Sequence, residues 1–117
     1  SMSVHLFGIP TCDSCRKARK WLDAHGVDHQ WIDFRQTPPS KEQVKAWVET
    51  LGSKVLRNTS GGAYRALGDK KEDWSDAQWA DAFANDPMLV KRPVLVVDGI
   101  AARTGFKADD FAARFAG

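Results

Sequence analysis

Apolar and polar positions alternate along the chain in two distinct periods. A short apolar run, Val4-His5-Leu6-Phe7-Gly8, reads as a strand, and Ile9-Pro10-Thr11 as the turn out of it. Helical spacing then takes over from Cys12 to His25, placing Cys15, Ala18, Leu22 and His25 near one face with Trp21 beside them. Gly26 is the stop signal. His29 to Phe34 alternates, Trp31 and Asp33 against Ile32 and Phe34, and predicts a second strand. Thr37-Pro38-Pro39-Ser40 is a rigid connection in which Ser40 can cap a helix, with Glu42 and Gln43 in its first turn. Val44, Trp47, Val48 and Leu51 continue that helix to a C-cap at Gly52.

Arg57-Asn58-Thr59-Ser60-Gly61-Gly62 reads as a flexible loop, and Ser75 to Asn85 as another helix carrying Ala77, Trp79, Ala80 and Phe83. After Pro93, the continuous run Val94-Leu95-Val96-Val97 suits a strand buried on both faces. Asp98-Gly99 signals a hairpin into Ile100–Arg103, and Lys107 to Phe115 closes the chain as a short amphipathic helix. This order predicts an α/β protein, a mixed sheet with covering helices.

A length of 117 residues fits one domain with a core of its own. No apolar run approaches the ~18 residues of a membrane helix, and no basic region followed by an apolar core marks a secretory signal. Ser1 ahead of Met2 reads as a tag remnant, and a cytoplasmic location is the default expectation. A net charge of +2 does not by itself imply nucleic acid. Arg16, Lys17, Arg19 and Lys20 form a local basic cluster, either a solvated helix face or a positive field beside the cysteines.

Those cysteines are the only two, arranged Cys12-Asp13-Ser14-Cys15 at a strand-to-helix junction. A disulfide scaffold needs more; a CxxC in this setting points to redox chemistry. Cys12 would sit at the first free N–H groups of the helix, which favour an anion, and Cys15 lies one turn on, able to attack a mixed disulfide formed at Cys12. Asp13 opposes thiolate formation, while Arg16 and Lys17 favour it. Structural zinc is the competing reading, with His5, His25, His29 or carboxylates as the missing ligands; two inert thiols are another. The five tryptophans show no stacking repeat and read as packing residues.

The segment Leu6 to Cys15, the Trp31-Ile32-Asp33-Phe34 strand, Pro38-Pro39-Ser40, Leu56-Arg57-Asn58 and Lys91-Arg92-Pro93-Val94 together resemble the ArsC/Spx/YffB group of thioredoxin-like proteins. The resemblance covers almost the whole chain. It implies a thioredoxin-like mixed sheet with flanking helices, a helical insertion at roughly residues 38–90, a cis bond at Pro93 facing the cysteines, and Arg92 beside Cys12. Family members reduce arsenate with glutathione and glutaredoxin, reduce other thiol targets, or regulate transcription by binding RNA polymerase. Arsenate reductases of this type carry His-x-Pro-x-Cys and three arginines. Here Gly8 takes the histidine's place, Arg57 and Arg92 match two arginines, and the third falls near Gly105-Phe106-Lys107, where Arg103 or Lys107 would have to substitute. Gly52 lies near the position of a polymerase-contacting glycine in the Spx-type regulators.

The opening and ending look closest to the YffB-like branch. That implies a thiol–disulfide reductase with Cys12 as nucleophile and Cys15 or glutathione resolving the intermediate. Arg92 and Arg57 would orient the anionic substrate, with Thr11, Asn58 and Pro93 as further contacts. Glutathione is the expected co-substrate, with no metal and no tightly bound cofactor. Glutaredoxin is a candidate partner; membranes and direct nucleic-acid contact are not expected, and a monomer is. The alternatives are a glutaredoxin-coupled arsenate reductase and a redox-switched regulator binding RNA polymerase.

Overall fold

The chain is described here by a computed structural model covering residues 2–116; Ser1, the tag remnant of the sequence reading, lies outside the described residues. β1 (Val4–Gly8) is central. It runs parallel to β2 (Gln30–Asp33) and antiparallel to β3 (Val94–Val97), which pairs antiparallel with β4 (Ile100–Thr104), so the sheet order is β2-β1-β3-β4. Parallel pairing of β1 with β2 requires a crossover, which α1 (Asp13–Ala24) supplies. Between β2 and β3 come α2 (Lys41–Leu51), α3 (Ser53–Leu56), α4 (Gly62–Ala66) and α5 (Asp76–Asn85), with 3₁₀ turns at Gly68–Lys71 and Pro87–Leu89; α6 (Ala108–Phe115) follows β4.

Side chains on a strand alternate between faces, and here the alternation builds two cores from one set of strands. Val4 and Leu6 of β1 and Leu95 and Val97 of β3 meet Ala18 and Leu22 of α1 and Phe111 of α6. Phe7, Val94 and Val96 face the other way, onto Phe34, Val44, Trp47, Trp79 and Phe83. Every residue of β3 is buried, as its unbroken apolar run implies. Asp98 and Gly99 take φ of +51° and +80°, the primed hairpin geometry that their sequence favours.

Capping follows the sequence closely. Ser40 and Ser75 each accept a hydrogen bond from the N–H three residues on, and Gln43 and Gln78 reach back to the cap N–H, a reciprocal box at both helix starts. Gly52 caps α2 at φ +85°. Two expectations are corrected. His25 is exposed rather than on the buried face: α1 ends at Ala24, and the imidazole stacks on Trp21 at 3.8 Å and bonds its carbonyl. The stretch 53–71 contains two short helices that its weak periodicity hides, α3 and α4. Gly62 accordingly opens α4 instead of closing a flexible loop.

Candidate active site

The turn after β1 delivers Cys12 to the start of α1. Its N–H bonds the Ile9 carbonyl at 3.2 Å and its own carbonyl accepts from Arg16 at 3.0 Å, making it the N-cap residue. Burial pushes the Cys12 thiol up, but the Cys15 N–H, the Cys15 thiol, the Arg92 charge and the Ser14 N–H together outweigh it, leaving the pKa below its ordinary value. Cys15 is fully buried, and desolvation pushes it up to about 12; the Ile9 N–H pulls the other way, and the neighbouring Cys12 raises it further. The surroundings therefore favour the anion at Cys12 and the protonated thiol at Cys15. Both thiols are free.

Two neighbours settle points the sequence left open. Asp13 is held below the usual carboxylate range by Lys17 and Arg16, at 3.2 and 3.5 Å, so its charge is neutralised on the solvent side. Gly8 lies directly against Cys15: a Cβ there would collide with the Cys15 sulfur and press on the Trp31 ring at 3.2 Å. The sulfur occupies the volume that any side chain at position 8 would need.

Arg92 precedes Pro93 through a cis peptide bond and is half-buried. Its Nη1 donates to the carbonyls of Met88 and Val90 at 3.2 and 3.3 Å, which fixes the guanidinium. Arg57 lies over the Trp79 ring at 4.3 Å and donates to Ser53 Oγ at 2.9 Å; Ser53 in turn donates to Asp76 at 2.5 Å. Among the described residues the Nε of both arginines is buried without a hydrogen-bond partner. Both line a groove of about 560 Å³, together with Ser14, Lys54, Lys91, Arg103, Lys107 and Asp110.

The family comparison fits this arrangement. The model of the ArsC family matches residues 7–114. The chain belongs to the ArsC family. Its fold is the thioredoxin-like one of ArsC structures: the solved structure of the protein YFFB superposes with a TM-score of 0.89 at 33% identity, over 97% of this chain and 99% of that one. The uncharacterized protein YusI of Bacillus subtilis is 41% identical over 94% of this chain and 96% of its own length. The global transcriptional regulator Spx of Lactiplantibacillus plantarum is 30% identical over 92% of this chain and 82% of its own.

Among the residues the ArsC resemblance implied, Cys12, Cys15 and Arg92 are brought together, and Pro93, next to Arg92 in the chain, is buried. Arg57 reaches the same groove as Arg92. Asn58 is engaged elsewhere, donating to the Met88 carbonyl of the Pro87–Leu89 turn at 3.4 Å and accepting from Ser60. Thr11 is exposed in the turn, and it is Thr59 that lines the groove. Arg103 also lines it, paired with Asp110 at 2.8 Å. His29 bonds the Val27 carbonyl at 2.9 Å, and among the described residues no three His, Cys, Asp or Glu side chains converge as a metal site. The sequence already marks Lys107 as a candidate third cation and Trp79 as a packing residue, but the contacts of Ser53 and Trp79 with Arg57 and the place of Lys54 in the groove arise only from tertiary packing.

Proposed function

We propose that this ArsC-family protein is a thiol–disulfide oxidoreductase that reduces disulfides or mixed disulfides with glutathione. The observation that carries the reading is the pairing of a stabilised Cys12 thiolate with a cationic groove that can hold a peptide's carboxylates. The Cys12 thiolate attacks one sulfur of a mixed disulfide between a substrate thiol and glutathione. A bond forms between Cys12 and the glutathione sulfur, the S–S bond between glutathione and the substrate breaks, and the leaving substrate thiolate takes a proton from solvent. A second glutathione, as thiolate, then attacks the glutathione sulfur held on Cys12, which releases oxidised glutathione and restores the Cys12 thiolate. Cys15, protonated while Cys12 is charged, is the slower resolving group; deprotonated, it would close Cys12–Cys15 and expel glutathione.

The test is glutathione-coupled reduction of a small mixed disulfide, followed as NADPH consumption by glutathione reductase. Turnover lost in Cys12→Ser and kept in Cys15→Ala supports the one-thiol route; equal rates for wild type and Cys12→Ser would sink the enzyme reading. The Spx relative supports a second reading, a redox-switched regulator. That reading requires RNA polymerase to be bound in one redox state only, with no turnover. Arsenate reduction is less well supported: Gly8 cannot acquire a side chain without displacing Cys15, and the third cation is a lysine or an already paired arginine.

A further inference from the structure

The charge of the groove exceeds what Arg57 and Arg92 explain. Six cationic side chains line it, Lys54, Arg57, Lys91, Arg92, Arg103 and Lys107, against the single carboxylate of Asp110, which Arg103 already neutralises. The whole chain carries only +2, so the positive charge is concentrated here. Among the described residues Lys54, Lys91 and Lys107 make no ion pair, whereas Lys17 and Lys41 pair with Asp13 and Asp81.

Lys91 is also held in a defined place. Its N–H bonds the Leu56 carbonyl at 2.8 Å, and its stem lies across Gly105, where a Cβ would come within 3.3 Å of Cε and 3.8 Å of Nζ. Gly105, at φ +75°, bonds the Pro93 carbonyl at 2.8 Å. The Lys91 backbone is thus anchored in the groove wall and its stem runs beside Gly105. Lys107 stands at the N-cap of α6, where the helix's first N–H groups add positive potential. Thr104 Oγ1 donates to the Val55 carbonyl at 2.9 Å and ties the two walls together.

We propose that Lys91 and Lys107, with Lys54, form a second anion subsite that takes a carboxylate of a small peptide thiol whose sulfur lies at Cys12. The inference rests on the thiol-reductase reading and deepens it by naming the ligand class, a peptide thiol with two separated carboxylates. An extended tripeptide spans up to about 10 Å, so its two carboxylates call for cations at separated places along the groove. Lysine suits this second position: it acts as a point charge on a flexible stem and takes the glycine carboxylate without the geometry a guanidinium imposes.

The probe is S-methylglutathione, whose capped sulfur cannot react with Cys12, so binding is read independently of turnover. Titration calorimetry compares wild type, the Lys91→Gln/Lys107→Gln double variant and a Lys41→Gln control whose charge lies outside the groove. The double variant should weaken binding about tenfold or more, and Lys41→Gln should leave it unchanged. S-Methylglutathione esterified at its glycine carboxylate should bind wild type more weakly and lose less in the double variant. Unchanged affinity in the double variant overturns the subsite, even if the enzyme turns over. Weakened affinity in a protein without turnover sustains the subsite and discards the reductase reading alone.

Discussion

Cys15→Ala removes a thiol donor from Cys12 while leaving the N–H groups of the helix start and Arg92 in place. The Cys12 pKa should therefore rise, and Arg92→Gln should raise it as well, since each change withdraws a group that stabilises the anion. Ultraviolet thiolate absorbance against pH measures both; an unmoved titration would refute this electrostatic account. Cys15 itself makes a prediction about stability. Its pKa is raised from 9.0 to about 12, so its contribution is complete below the unfolded value and is lost as pH climbs from about 9 towards about 12, because the unfolded chain gives up the proton first. Denaturation midpoints should fall over that window in the wild type and fall less in Cys15→Ala. The same contact predicts an interaction with position 8. Gly8→Ala should destabilise by about 1–3 kcal/mol, and Cys15→Ala in that background should recover part of the loss, a coupling that a double-mutant cycle in urea would read. The CxxC pattern announced the thiols, but the asymmetry between them depends on burial and on the N–H groups that the turn directs at each sulfur.

At the scale of elements, most boundaries follow local chemistry. Ser40 and Ser75 form complete capping boxes with Gln43 and Gln78, so Ser40→Ala and Ser75→Ala should each cost about 1 kcal/mol in urea denaturation. Values near zero would mean that tertiary packing alone holds α2 and α5. The strands were equally legible: the alternation in β2, the unbroken apolar run of β3 and Asp98-Gly99 all carry their periods openly. Elements α3 and α4 were not. Each is only one turn long, too short for a periodic signal, and one-turn helices persist by docking rather than by propensity. His25 misled for a related reason, since α1 ends at Ala24, one residue before it, and its buried stripe at Leu22.

For the whole molecule, the relevant feature is where the charge collects. A chain of net charge +2 presents six cations in one groove, contributed by α3, the loop after it, the segment before β3, β4 and the start of α6. Exposed charges of this kind are screened over a Debye length of about 8–10 Å near physiological salt. The KM for glutathione should therefore rise as salt is added at constant pH, while kcat stays nearly level; a salt-independent KM would remove electrostatic capture from the mechanism. Arg57 shows how the helical insertion takes part in the site. Its guanidinium is held over Trp79 of α5 and by Ser53 of α3, so the insertion positions a groove cation as well as covering one face of the sheet.

By itself the sequence determined the strand and helix periods, the caps, the thiol pair and the ArsC resemblance, because each is written in residue types a few positions apart. Tertiary structure alone decided how deeply Cys15 is buried beside Cys12, what Arg57 rests on, why position 8 has no side chain and how scattered lysines come to face one groove. Those outcomes depend on desolvation and on contacts between residues distant in the chain. Gly8 meets Cys15, Arg57 meets Trp79 and Lys91 meets Gly105 only once β1 and β3 pair and the insertion folds back over the sheet.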